Sequence, residues 1–584
     1  MKKVLLTIIV IIIALFCLIL AIPDESPNPE VDGGVSNEGY ASETLIEDNT
    51  EAETEAAESG GEVAAETEEE VIEDELPEQA LEEENLSSDI GFRPEMNGFG
   101  FENYGDNIDA ENLTPAELQR MFGDVVCAKI KDGNCVLTPP AEQWMEQINE
   151  YMSGGHCEGM AVLSLLMYND YIKESEYGGN EAIELPLENE LQREIAYWWT
   201  TQTVEPTAAS VIQGTPVEIL ETLLAMEPGG ETYTIGIYKP DGSDGHAITP
   251  FAVADRGDGL YAVLVYDNNY PGETRELYID TNNNTWQYEA SINPQVESML
   301  YEGNAETMTL ELTPTSARLG LQYCPFCGDS EYGRLGKSRG AAMETARHNE
   351  IFLEGDGHLL MMDDQERYLG YLDGQFVNEI PGAKMVKTRT GSTLEDNAEP
   401  IYWLPRGINA TIQLDGSTLS EESPSDLVLV GPGYTFGIEG ILLEPEQVDT
   451  IYFAPEEGWL TYVTDKSQSP NIIIGVEEPE ADFYFEIQGA DMMGGGEINV
   501  MIDTASGDLI INAEKLTNEG AFNLFLTRID DEMELELYAD DLVLKAGSIV
   551  YISYAEWTGE GDGLFVGVDL DGDTEIDETY EVED

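Results

Sequence analysis

Positive charge is scarce in this chain: 25 Lys and Arg stand against 118 Asp and Glu in 584 residues, a formal net charge of −93. Nucleic acid and anionic membrane surfaces are recognised through basic side chains, so both are excluded as main partners. Only 4 His and 6 Cys are present, which rules out a disulfide-dense scaffold and leaves few residues for nucleophilic or soft-metal chemistry. Long apolar runs are missing too, except at the start. Residues 4–22 are apolar apart from Thr7 and follow Lys2 and Lys3. Nineteen helical residues span roughly 28 Å, about the hydrocarbon thickness of a bilayer.

Basic residues before that run and acid after it orient the remainder away from the cytoplasm. The run is long for a signal core and no small-x-small site follows, so it reads as an uncleaved anchor rather than a cleaved signal. Phe16 before Cys17 and Leu18-Ile19-Leu20 after it argue against a lipoprotein. The expected location is the cell surface or the secreted space. Residues 23–90 carry 25 acids and no Lys or Arg. Such a stretch cannot bury enough apolar surface to offset chain entropy and is expected to be a disordered acidic linker. From residue 91 on, 93 acids face 23 bases over 494 positions. Divalent-cation binding outside the cell and adaptation to high salt both account for that excess; composition does not separate them.

Some 490 residues exceed a single core. The expected organisation is an anchor at 1–22, the linker at 23–90, an α+β domain at 91–310, and two β-rich modules at 311–440 and 441–584. Helix starts are written at Thr114-Pro115-Ala116-Glu117, Thr138-Pro139-Pro140 and Thr215-Pro216-Val217-Glu218, each with Thr as N-cap and Pro at the first helical position. Gly154-Gly155 breaks the second helix, and from Cys157 the apolar run through Met167 predicts a buried one. Another helix is expected over 191–199. Beyond residue 231 the period changes to 2: runs at 232–238, 246–254, 260–266, 275–280 and 285–288 are separated by turn residues and read as an antiparallel meander packed on the helices. After residue 311, short strand candidates recur between Gly, Pro, Asp and Asn, the cadence of all-β, sandwich-like modules.

Three segments bear chemistry: Gly155-His156-Cys157-Glu158-Gly159, Gly245-His246-Ala247, and Tyr266-Asp267-Asn268-Asn269. Cys157 opens a buried helix after two glycines, where unpaired N–H groups and the helix dipole favour thiolate and suit an oxyanion. His246 begins one strand and Asp267 ends the next. Antiparallel pairing through the tight turn at 255–259 brings the two together, so that Asp267 can orient the imidazole. The rival arrangement is a zinc site of His156, Cys157, His246 and Asp267, weakened because adjacent His156 and Cys157 point in different directions at a helix start. His156 is expected as a wall or cap residue, Glu158 as a first-turn carboxylate.

This order of helix-starting Cys, strand-starting His and strand-ending Asp resembles the papain-like cysteine peptidase superfamily over residues 110–290, nearest in style to its bacteriocin-processing and transglutaminase-like branches. The resemblance implies a papain-like α+β fold with Cys157 as nucleophile, His246 as general base and acid, and Asp267 as the orienting residue. It implies a peptide or other acyl substrate and a thioester intermediate, with no cofactor for catalysis. The chain departs from the pattern in two places. The oxyanion Gln expected shortly before the nucleophile has only Gln143 and Gln147 as counterparts, inside a helix, and Ala-Ile-Thr-Pro-Phe after His246 differs from the transglutaminase-like His-Ala-Trp.

Cys127 and Cys135 flank a hairpin turn and read as a disulfide. Cys324 and Cys327 read as a local disulfide, with a zinc site completed by His348 and His358 as the alternative. Asp569, Asp571, Asp573, Glu575 and Asp577 occupy positions 1, 3, 5, 7 and 9 of a loop resembling the calcium loops of dockerin and thrombospondin-type repeats; Thr574 replaces the usual Gly and Tyr580 the bidentate acid. Two functions stand: a membrane-tethered extracytoplasmic cysteine hydrolase or acyl transferase, and a non-catalytic, calcium-dependent surface-binding protein with a degenerate enzyme domain whose β modules hold a cell-surface ligand.

Overall fold

The structure is a computed structural model; it describes residues 86–582 except 106, 109, 241–243, 292–293, 295–297, 329–346, 373, 390–398, 531 and 560–562. The expected anchor and nearly all of the expected linker lie outside the described residues. Among the described residues no helix is long and apolar enough to cross a membrane.

Among the described residues, five α-helices of eight residues or more precede or interrupt the first sheet: α1 (Pro115–Phe122), α2 (Pro139–Tyr151), α3 (Cys157–Tyr168), α4 (Asn189–Thr200) and α5 (Pro216–Leu224). The Thr114 and Thr215 capping boxes both form, each with Glu three residues on and Pro in the first turn, satisfying amides that would otherwise be orphaned. Residues 157–167 of α3 are all buried. A helix enclosed on every side has no need of a polar face. One flank of α3 packs with α1, α2 and α4 in a core that also takes in Phe352, Trp403 and Val430 of the later β region. Leu165 on its other flank joins the sheet and α5.

That sheet contains β1 (Leu86–Asp89), β4 (Ile212–Gln213), β5 (Tyr233–Ile237), β6 (His246–Gly257), β7 (Leu260–Asp267), β8 (Thr274–Asp280), β9 (Thr285–Ala290), β10 (Met299–Asn304) and β11 (Leu310–Pro314), while β2 (Cys127–Lys131) and β3 (Asn134–Leu137) form a separate hairpin. Strands β5 to β9 are the expected antiparallel meander; β10 extends it beyond the expected runs, β11 returns to pair with β5, and β4 pairs with β11. The linker boundary is corrected here. Residues 86–89, expected as its disordered end, form β1 and pair with β6 at residues 252–254. Ile90 and Phe92 just behind them are buried in the core, so this end of the acidic stretch does have apolar surface to bury.

The later region forms two antiparallel sheets of nine and eleven strands between residues 348 and 582. A single apolar core from Ile351 to Val566 fills the space between them, in the manner of a sandwich. Both sheets run unbroken across residue 440; Tyr434–Leu443 pairs with Asn471–Glu477. With so few cations available to pair its acids, the folded chain is strained by self-repulsion, which counterions relieve. Raising sodium chloride from about 0.05 to about 1 M should therefore raise the melting temperature by several degrees, measured by circular dichroism, with salts of equal ionic strength acting alike.

Candidate active site

Gly155, at φ 147°, turns the chain into the start of α3, a backbone angle open to glycine and costly for other residues. His156 is the N-cap residue, and Cys157 follows as the first helical residue. The imidazole of His156 stacks on Tyr104 at 4.2 Å between centroids. Its Nδ1 donates to the Tyr104 carbonyl at 2.8 Å, and Nε2 meets the Asn112 side chain at 2.8 Å. Burial pushes its pKa down to about 4, so it is a neutral wall residue with both nitrogens engaged. The zinc quartet that would require it is not assembled.

The register of β6 on β7 places Ile248 opposite Asp267, which makes His246 and Asp267 diagonal neighbours across the pair. His246 Nε2 donates to Asp267 Oδ1 at 2.9 Å. Asp267 also accepts from the Asn269 amide at 3.0 Å and the Tyr288 hydroxyl at 2.6 Å. Asn268 clasps the two halves of the site: its Nδ2 donates to the carbonyls of Cys157 at 3.0 Å and Ala247 at 3.2 Å. Cys157 packs with Ala161 and Ala247 in a small cluster of its own. The other ring nitrogen of His246, Nδ1, is buried without a hydrogen-bond partner.

Burial disfavours a charged His246, but the Asp267 carboxylate and then the Cys157 sulfur outweigh it, lifting its pKa to about 10. Asp267 goes the other way: burial raises its pKa, yet the imidazolium and its hydrogen-bond donors hold it below the usual range. The Cys157 sulfur thus acts electrostatically on a ring whose far nitrogen is tied to a carboxylate. Such a grouping can pass a proton between sulfur and imidazole.

Glu158 does more than favour the helix dipole. It is fully buried and pairs with the guanidinium of Arg318 and, at 3.3 Å, with Nε of Arg389. Burial alone would raise its pKa, but Arg389 and Arg318 together lower it. Arg318 also donates to Thr201 and Thr234. Arg389 reaches Glu311 at 3.5 Å, and Tyr238 donates to that carboxylate. The Arg389 carbonyl accepts from Cys157 Sγ at 3.4 Å, so a segment from the β region closes over Cys157.

Sequence reasoning missed Asn103, Tyr288, Arg318 and Arg389, and gave Asn268 no role. The one available signal was Glu158, a charge one residue into an otherwise apolar helix, which demands buried cations as partners. Asn103 is buried; its Oδ1 accepts from the His156 amide at 2.9 Å, while its Nδ2 has no partner.

The remaining expected residues fall as follows. Cys127–Cys135 and Cys324–Cys327 are both disulfides. With its sulfurs joined, the second pair holds no thiolates for zinc, while His348 pairs with Glu350 and His358 with Glu399. Asp569, Asp571 and Asp573 bring one carboxylate oxygen each within 4.8 Å of one another. Asp577 instead accepts from the Leu570 amide, and Glu575 stands outside the cluster. No known protein family, curated protein or solved structure matches the chain.

The sign of the His246 shift sets a pH dependence. Between the unfolded pKa near 6.5 and the folded value of about 10, the native state holds a proton that the unfolded chain releases. The stabilisation is complete below about pH 6.5 and is lost as pH rises toward 10. Melting curves from pH 6.5 to 9.5 should decline, and His246→Ala should flatten that decline even though it lowers stability overall.

Proposed function

We propose that residues 91–318 form a cysteine hydrolase of the papain-like kind acting on peptide or related acyl bonds, in a membrane-tethered, extracytoplasmic protein. One observation carries the reading: a buried imidazole is anchored through Nε2 to Asp267, its Nδ1 has no hydrogen bond, and the next residue on its strand, Ala247, packs against Cys157. In this reading the imidazole already holds the proton it shares with Cys157, the sulfur attacks the substrate carbonyl, and the imidazolium gives that proton to the leaving amine. Water then enters, His246 accepts its proton, and the thioester is hydrolysed. Asp267 stabilises the imidazolium and fixes the ring. The free Nδ2 of Asn103 and the first-turn amides of α3 are the available oxyanion donors. The two disulfides suit an oxidising compartment.

The alternative is a non-catalytic, calcium-dependent surface protein, in which Asp569, Asp571 and Asp573 would hold the ion. It is favoured by the sealing of the site: Cys157 is 0% exposed and Arg389 2%. Alkylation with iodoacetamide separates the two readings. A catalytic Cys157 should label with a rate that depends on the imidazole, and His246→Ala should slow labelling at pH 6 by about tenfold or more. Equal rates in both proteins would favour the binding protein.

Asn103→Ala tests the oxyanion assignment. It should lower kcat by about 100-fold with little change in KM. An unchanged kcat in a folded variant would remove Asn103 from the mechanism.

A further inference from the structure

We propose that residues 384–389 are an inhibitory strap: they occupy the substrate cleft from within the chain and keep Cys157 latent, in a cleft shaped for an extended basic peptide. The proposal rests on the hydrolase reading and adds to it the regulation of the site and the chemistry of its ligand.

The strap is Lys384-Met385-Val386-Lys387-Thr388-Arg389, three cations in six residues of a chain with only 25 in 584. Basic residues gathered so densely in an acidic protein are complementary to its own surface. One end is rooted in the sandwich, where Lys384–Val386 pairs with Ile401–Pro405 at the edge of the nine-stranded sheet. The other end leaves that sheet for the helices and the first sheet. Lys384 Nζ meets Glu205 at 3.4 Å, and Lys387 lies over the Tyr238 ring at 5.6 Å. Arg389 pairs with Glu158 at 3.3 Å and with Glu311 at 3.5 Å. Each cation thus meets an acid or an aromatic face.

Backbone contacts set the strap against both walls of the site. The Arg389 amide donates to Gln202 Oε1 at 2.8 Å, and its carbonyl oxygen lies 3.4 Å from Cys157 Sγ. On the other wall, a Cβ on Gly245, one residue before His246, would come within 2.5 Å of the Thr388 carbonyl. A Cβ on Gly236 would stand 2.8 Å from Arg389 Nη1. The strap lies in the room that these two glycines leave. An oxygen against the sulfur covers it and repels a thiolate, so it opposes the charge-separated pair with His246. Cys157 is accordingly 0% exposed.

Gln202 gives the cleft wall a group suited to a peptide backbone. It is 4% exposed; its Oε1 takes the Arg389 amide and Nε, and its Nε2 has no partner. A purely structural glutamine in a core has both ends satisfied. Here the acceptor serves the strap, and the donor is left for a peptide carbonyl. Strap and substrate exclude each other at this wall, so the reactivity of Cys157 scales with the fraction of molecules whose strap is out.

The test follows alkylation of Cys157 by iodoacetamide, located by peptide mass mapping, in the full chain as wild type, Gln202→Ala and Arg389→Ala. Gln202→Ala should label about tenfold faster than wild type, the weight of one buried hydrogen bond. Arg389→Ala, which loses two ion pairs as well, should label about 100-fold faster. Because a change at the buried ion cluster can unfold the chain, the synthetic peptide Lys-Met-Val-Lys-Thr-Arg is added to each variant. It should restore protection, and the same peptide ending in Ala should not. Wild-type rates in both variants, or fast labelling that the peptide leaves unchanged, would overturn the strap. Pairing each variant with His246→Ala tells the two readings apart. If the strap fails but loss of His246 still slows labelling, the hydrolase reading stands; if loss of His246 changes nothing in any background, both fall.

Discussion

A carboxylate with no route to water organises this molecule. Glu158 sits in the first turn of a helix that is enclosed on every side, and a lone charge in that position would cost several kcal/mol. Its neutralisation draws in Arg318, from just beyond the first sheet, and Arg389, from between strands of the sandwich. The helix carrying Cys157 is thus tied electrostatically to two distant stretches of chain. The β region is part of the site's wall rather than an appendage. The shared core, in which Trp144 of α2 donates to Glu350 of the sandwich at 2.6 Å, runs alongside the same connection.

The grouping of Cys157, His246 and Asp267 is an exercise in local geometry. A glycine-rich break starts a helix with a cysteine at its mouth, and one hairpin register sets a histidine diagonal to an aspartate. Neither element needs the other to form. What aligns them is Asn268, whose amide spans from the helix start to the histidine strand. It joins the two elements through hydrogen bonds alone, and Tyr288 holds the aspartate in the same way from two strands away.

Legibility followed the range of the interaction. Capping boxes, the α3 boundary, the β5–β9 meander, both disulfides and the His246–Asp267 pairing could be read because each depends on residues close in sequence or on one hairpin. Strand β1 was missed because its apolar anchors, Ile90 and Phe92, follow a long acidic tract whose composition speaks for disorder. The partners of Glu158 were missed for another reason: ion pairing over 160 residues to Arg318, and over a longer span still to Arg389, leaves no periodicity to detect. Asn103 carries no pattern either, since an orphaned amide is defined only by what surrounds it. Three of the five acids proposed for a calcium loop do gather, whereas backbone hydrogen bonding within the loop turns Asp577 elsewhere.

The strands on either side of Arg389 are interleaved. His348–Glu354 lies between Ile401–Pro405 and Ser423–Gly431 in one sheet, and His358–Asp363 pairs with Ala410–Asp415 in the other. Both disulfides close within short loops, spanning 8 and 3 residues, and neither ties residues 1–389 to the rest. What knits the two stretches of chain together is consequently the interleaving itself. They could part only by unzipping both sheets at once, so the strands before Arg389 and those after it would melt as one body.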